Sequence, residues 1–145
     1  TYIGIDLLPG LLATYFYLRK CGYKVNLTNN TKNLINGQIN LIPYEDFLSD
    51  QANAFNIDLI FNSRSLSEFS NETINFYFKF INNSNANFFY HENSNYLLFP
   101  KSQRHIEIIG SKFPINTEKY ELESMHISPF TGGSGRYREF LYRAY

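Results

Sequence analysis

The chain of 145 residues is long enough for one domain with a sizeable core, since 43% of it is hydrophobic and 18% is aromatic. Its 13 basic and 13 acidic side chains cancel without forming a Lys/Arg block, which disfavours nucleic acid as a partner. No apolar run is long enough for a membrane span, and a single cysteine suits a reducing compartment, so we expect a cytoplasmic protein.

The first half of the chain predicts strands that alternate with helices. Apolar residues at helical spacing follow Asp6, and Gly22 is a suitable residue for the end of that helix. In chain order, the predicted elements are a strand at residues 2–5 ending at Asp6, a helix at 8–22, an extended piece at 23–27, a strand at 38–43 and a short helix at 48–55.

Residues 56–83 predict a buried strand, a polar turn and a helix. The apolar run from Ile57 to Phe61 suits a strand covered on both faces, as in a parallel sheet. Ser70 can cap the following helix, whose apolar residues recur at spacings of three and four. The polar residues between strand and helix therefore lie where open α/β sheets bind their ligands.

The second half predicts one more parallel strand and a closing hairpin. Residues 87–90 form a compact apolar strand that ends in His91, Glu92 and Asn93. Two β-prone runs, 120–130 and 136–145, are joined by a glycine-rich segment that permits the positive φ values of a hairpin loop. We therefore predict a single α/β domain over residues 1–145, with a mainly parallel sheet that ends in an antiparallel pair.

Three segments resemble, in order and spacing, the sugar O-methyltransferase family: YIGIDLLPGLLATYFYL, INLIPYEDF and FNIDLIFNSRSLSEFS. The similarity covers nearly the whole chain. It implies a Rossmann-like methyltransferase sheet and the transfer of a methyl group from S-adenosylmethionine to a sugar hydroxyl. A small-molecule or polysaccharide sugar would then be the acceptor.

The chain departs from the family at the glycine-rich loop that follows the family's first strand and cradles the cofactor. No Gly-x-Gly of that kind occurs here, because Gly132, Gly133 and Gly135 belong to the predicted hairpin. The first strand would lie between the strands that start near Tyr2 and Ile57. We therefore expect a fragment, incomplete at its N-terminus, which is inactive alone and binds the cofactor weakly or not at all.

The resemblance implies a cofactor site made of residues that follow predicted strands. Asp6 matches the acid that holds the ribose, where a carboxylate can accept two hydroxyl donors. The segment that starts at Ile42 would lie over the adenine, and residues 62–65 would line the methionine side. The implied cofactor-binding residues are Asp6, Leu7, Tyr44, Glu45, Asn62 and Ser63.

The acceptor would lie against Arg64, Ser65 and Glu92. Arg64 could contact an acidic acceptor or the methionine carboxylate, with a surface ion pair as the alternative. His91 has a suitable intrinsic pKa to take the acceptor proton, with a strand-end histidine bonded to backbone as the alternative. Glu68 is the second candidate base; it could instead bind sugar hydroxyls or be a solvated residue. We predict no structural metal, and a catalytic Mg²⁺ held by Glu68, Glu92 and Asp46 stays open.

Two other functions stay open. The missing glycine loop favours a catalytically silent α/β module that serves in assembly or binds carbohydrate. A nucleotide-sugar enzyme of related fold is the third alternative, and the lack of a phosphate-binding glycine loop counts against it. The sequence makes no prediction of the oligomeric state.

Overall fold

The computed structural model describes residues 1–50, 56–95, 108–131 and 136–145. The chain divides into two compact units, Thr1–Asn53 and Ala54–Tyr145, each with a sheet of its own. Both units combine strands with helices, which confirms the predicted α/β class. Among the described residues, no helix has the length and apolar character needed to cross a membrane.

The first unit is a three-stranded parallel sheet of order β1-β3-β2. Its elements are β1 (Tyr2–Asp6), α1 (Leu8–Lys20), β2 (Val25–Leu27), β3 (Ile39–Pro43) and α2 (Tyr44–Asp50). The predicted order of strands and helices is confirmed. The second helix begins at Tyr44 rather than at residue 48, since Glu45 and Asp46 suit a helical first turn; residues 51–55 of that prediction lie outside the described residues.

Helix α1 covers one face of this sheet. Pro9 lies in its first turn, where its missing N–H is tolerated, and Arg19 and Lys20 lie in its last turn, at the negative end of the helix dipole. Gly22 follows with a φ of +87°, a conformation that favours glycine. The buried core of the unit consists of Leu11, Val25 and Leu41, with Tyr15, Leu18 and Ile39 packed around it.

The second unit contains a mixed four-stranded sheet of order β4-β5-β7-β6. Its elements are β4 (Leu59–Ser63), α3 (Asn71–Asn83), β5 (Phe88–Ser94), β6 (Tyr120–Ile127) and β7 (Tyr137–Ala144). Strands β4 and β5 are parallel, and β7 is antiparallel to both β5 and β6. The predicted closing antiparallel pair is confirmed, while the glycines that join it, residues 132–135, and residues 96–107 lie outside the described residues.

Helix α3 forms where the sequence predicts it. The Ser70 hydroxyl accepts a hydrogen bond from the Thr73 N–H, which satisfies one of the unpaired donors of the first turn. Its apolar face packs on the sheet, because residues three and four apart share one side of a helix. The buried core of the unit is Leu66, Ile74, Phe78, Ile81, Phe89, Phe113 and Tyr120.

Two predictions about strands in this unit are wrong. Strand β5 does not end at Tyr90 but continues to Ser94, because the whole segment pairs with β7. Strand β4 is not covered on both faces within its unit: Leu59 and Phe61 are 51% and 62% exposed. In the described part of the unit, the apolar face of α3 covers one side of the sheet, and β4 lies at the sheet's edge.

Candidate functional site

A cluster of polar side chains lies at the carboxyl ends of β4 and β5, centred on Glu92. Ser63 lies directly opposite Glu92 in the ladder, and its hydroxyl donates to Oε2 over 2.9 Å. The Arg64 guanidinium donates twice to Oε1, from Nε at 3.2 Å and from Nη2 at 3.0 Å. The Ser128 hydroxyl, which follows β6, donates to the same oxygen. Four donors therefore surround one carboxylate.

This carboxylate is charged although it is nearly buried, with 6% of its side chain exposed. Burial by itself raises the pKa of Glu92, and hydrogen bonds from Ser128, Arg64 and Ser63 lower it. The hydrogen bonds together outweigh burial, so the pKa lies below its usual value. Glu92 is therefore an ionised acceptor throughout the neutral range.

Arg64 adopts an unusual backbone conformation beside this carboxylate. Its φ is +62°, in the left-handed region that side chains other than glycine rarely occupy. The conformation is held by a hydrogen bond from the Arg64 N–H to the Glu92 carbonyl oxygen at 2.7 Å. The guanidinium carbon lies 5.3 Å from the centre of the Tyr137 ring, a cation–π distance. Backbone, ion pair and ring together fix the direction of this side chain.

A network of amides extends the cluster toward α3. Asn93 Nδ2 donates to Asn62 Oδ1 at 2.9 Å, and Asn62 Nδ2 donates to the Ser65 hydroxyl at 2.6 Å. The Ser67 N–H donates to Asn93 Oδ1. The structure thus brings together the predicted Asn62, Ser63, Arg64, Ser65 and Glu92, and it bonds most of them to one another.

His91 occupies a different environment from the one predicted. Its ring has no exposed surface and packs among the rings of Phe89, Phe113, Phe140 and Tyr142. Neither ring nitrogen has a hydrogen-bond partner in the part of the chain that the structure describes. Burial lowers the pKa of His91 to about 3. The prediction that His91 lies at the end of a strand is wrong, because β5 continues to Ser94. The catalytic role of His91 stays a prediction, and the burial of its ring gives that role no support.

Glu68, the other predicted base, ends a short 3₁₀ turn, Leu66–Glu68, that links β4 to α3. Its side chain is exposed, and its backbone N–H donates to the Ser65 carbonyl oxygen. Unlike His91, it is accessible to a ligand that approaches from solvent. Its role in proton transfer stays a prediction.

The first unit brings together four of the predicted cofactor-binding residues. Asp6 lies opposite Pro43 in the ladder of β1 and β3, so the residues that follow each strand share one edge of the sheet. Asp6 and Leu7 lie at the end of β1, and Tyr44 and Glu45 begin α2 directly after β3. Asp6 Oδ1 accepts a hydrogen bond from the Leu7 N–H at 2.7 Å, and the side chain stays exposed.

An open cavity of about 460 Å³ lies at this same edge. Its lining combines apolar side chains with amides, a hydroxyl and a carboxylate: Leu8, Asn26, Leu27, Thr28, Asn29, Asn33, Pro43 and Asp46. The amide of Asn26 is fixed, because its Nδ2 donates to the Asn33 carbonyl oxygen and to Asn40 Oδ1. The volume falls within the range of small-molecule sites.

Sequence reasoning missed several residues of both clusters. The loop after β2, which supplies Thr28 and Asn29 to the cavity, carries the same signal as the others: polar residues just past a strand. Ser128 and Tyr137 could not be found in this way, because they reach Glu92 and Arg64 from β6 and β7. Their contribution depends on the position of β7 beside β5.

No family model, curated protein or solved structure matches the chain. Among the described residues, no three side chains of the types that bind metals lie close enough to hold an ion. The two clusters of polar side chains are therefore the observations on which a function can be argued.

Proposed function

We propose that the protein is an S-adenosylmethionine-dependent O-methyltransferase that acts on a sugar hydroxyl. The observation that carries this proposal is the second unit: two parallel strands joined through α3, an antiparallel hairpin added beside them, and a polar cluster at the carboxyl ends of the parallel pair. This arrangement agrees with the sheet that the resemblance implies. The finer assignment to a Rossmann-like methyltransferase fold is part of the proposal.

The polar residues at the edge of the first sheet could bind one part of the cofactor, its adenosine. An exposed carboxylate at the end of β1 is suited to two ribose hydroxyls, and Asp6 has that position. Leu7, Tyr44 and Glu45 would line the adenosine beside it. The open cavity at the same edge is lined by none of these four residues, but Leu8, Pro43 and Asp46 in its lining adjoin them in the chain. A glycine cradle is not among these residues, so they supply only part of a cofactor site.

The bound cofactor would supply an activated methyl group on its sulfonium. The protein's residues would hold the acceptor hydroxyl in line with that methyl group and would accept the hydroxyl proton on a base. Within the second unit, Arg64 and Ser65 would bind the acceptor, and Glu68 would take the proton. We leave His91 out of this assignment, because a buried ring cannot come within hydrogen-bond distance of an acceptor.

Calorimetry tests the cofactor assignment. S-adenosylmethionine is titrated into the intact, full-length protein, rather than into the 145-residue chain alone, and into its Asp6→Ala variant. The variant is expected to bind the cofactor at least about tenfold more weakly. Asp58→Ala is the matched control, because Asp58 is an exposed acid that precedes a strand instead of following one. Failure of the intact protein to bind, or equal binding by parent and Asp6→Ala, would contradict the proposal.

The burial of His91 favours a second function, a module that binds carbohydrate or serves in assembly without catalysis. Glu92 is also engaged by four donors of the chain itself, so among the predicted acids and bases of this cluster Glu68 alone is exposed. The intact protein is incubated with methyl-labelled cofactor and a panel of sugars. Label in any sugar eliminates the silent module, and binding of sugar without label would favour it.

A further inference from the structure

The ion pair between Arg64 and Glu92 bears on the kind of sugar that the site accepts. Arg64 keeps 44% of its side chain exposed while Glu92 keeps only 6%. The pair therefore presents its guanidinium to solvent and its carboxylate to the interior. Glu92 is too deeply engaged to contact a ligand, and its four hydrogen bonds hold Arg64 in place.

The Arg64 guanidinium has N–H groups that do not bond to Glu92. It carries five N–H groups in a rigid fork, and two of them bond to Glu92 Oε1. Among the described residues, no acceptor binds the two N–H groups on Nη1. The left-handed backbone of Arg64 supports a role for this side chain, since strained conformations occur most often where the side chain is needed.

The charged side chains around the Arg64 guanidinium do not favour an anionic ligand. Glu92 neutralises the guanidinium, and Glu139 lies opposite Glu92 in the ladder of β5 and β7, on the same face of the sheet. Arg138 points to the other face, where its guanidinium donates to the sulfur of Met125. A carboxylate or phosphate against Arg64 would therefore meet an ion pair with no net charge, whereas a hydroxyl would use the free donors without repulsion from Glu92.

We propose that Arg64 binds hydroxyl groups of an uncharged sugar and that Glu92 is a positioning residue that cancels its charge. The acceptor would then be a neutral pyranose rather than a uronate or a sugar phosphate. This inference rests on the proposed function for the assumption that the acceptor is a sugar. It does not depend on the cofactor, so it can be tested in the absence of S-adenosylmethionine.

The experiment follows the Nε–Hε signal of Arg64 by NMR in the intact protein. The probes are three matched pairs: the methyl glycosides of glucose, galactose and mannose, and the corresponding uronates. At least one neutral glycoside is expected to shift the Arg64 signal and to bind roughly tenfold more tightly than its uronate. The Nε–Hε signal of Arg143, which is 55% exposed with a long ion pair to Glu123 at 3.9 Å, is the matched control and is expected to stay in place.

A charge change gives the second measurement. Glu92→Gln keeps the side-chain length and an acceptor oxygen but leaves the charge of Arg64 uncompensated. The variant should therefore bind the uronate more tightly than the neutral glycoside. A merely structural role for Glu92 would not alter this preference. Two results in the parent protein would overturn the proposal, even if Glu92→Gln does not fold. One is that the uronates bind more tightly than their neutral glycosides, and the other is that none of the six probes shifts the Arg64 signal. Loss of cofactor binding alone would contradict the proposed function and leave this result unchanged.

Discussion

The burial of His91 predicts that stability falls in mild acid. Its ring is enclosed by Phe89, Phe113, Phe140 and Tyr142, and burial lowers the pKa to about 3. Tyr142 contributes no charge to this environment, because burial raises its pKa above the usual value of about 10. The folded protein therefore holds a neutral imidazole in an aromatic environment.

The sign and size of the effect follow from proton linkage. In the unfolded chain the histidine pKa is about 6.5, so between that value and about 3 the unfolded state binds a proton that the folded state does not. The free energy of unfolding must therefore decrease as the pH decreases. The loss is about 1 kcal/mol between pH 7.5 and 5.5, and about 3 kcal/mol between pH 7.5 and 4.5.

Replacing His91 by phenylalanine should remove this part of the pH dependence. Urea denaturation followed by circular dichroism at the three pH values gives the free energy of unfolding of parent and His91→Phe. Subtracting the change in the free energy of unfolding of the variant from that of the parent removes the contribution of the carboxylates, because both proteins have the same carboxylates. The parent should lose about 3 kcal/mol more than the variant on going from pH 7.5 to 4.5.

One result would refute the reasoning about His91. If parent and His91→Phe lose the same free energy between pH 7.5 and 4.5, the imidazole accepts a proton in the folded protein as readily as in the unfolded one. The ring would then have to be accessible to water or paired with an acceptor, contrary to its complete burial. Such a result would also restore His91 as a candidate base.

Three further substitutions test the fold through urea denaturation. Ser70→Ala removes the cap of α3 and should cost about 1 kcal/mol, whereas Ser70→Thr should retain most of it; equal losses would exclude the cap as the cause. Gly22→Ala introduces a side chain at a φ of +87° and should cost about 1–2 kcal/mol through the backbone alone, since no atom lies within 4 Å of the added carbon. Phe78→Ala should cost about 3–5 kcal/mol by leaving a cavity against Phe89 and Phe113, while exposed Asn75→Ala should stay within about 0.5 kcal/mol.

Local signals in the sequence were sufficient to predict most of the elements. Helix α3 is the clearest case, because the cap at Ser70 and the spacing of Ile74, Phe78 and Ile81 depend only on neighbouring residues. The closing pair of strands was predicted for a similar reason, since two β-prone runs flank a glycine-rich turn. Element boundaries were less secure, as the early start of α2 demonstrates.

Pairing between distant segments decided what the local signals left open. Polar residues after Phe61 could be predicted from the sequence, but Asn62 and Ser63 belong to β4. Their partners Asn93 and Glu92 come from the neighbouring strand β5. The burial of His91 likewise depends on β7 lying beside β5, which places Phe140 and Tyr142 against its ring. A polar residue after an apolar run looks the same in the sequence whether the strand ends there or continues.

The sequence by itself therefore determined the α/β class, the order of strands and helices, and the presence of polar residues near the carboxyl ends of β4 and β5. These features follow from capping, periodicity and turn chemistry, which act over a few neighbouring residues. The tertiary structure alone decided that His91 is buried, that Glu92 is bonded by four donors and that Arg64 points to solvent. Burial and ion pairing depend on which strands become neighbours, and that is settled by packing over the whole unit.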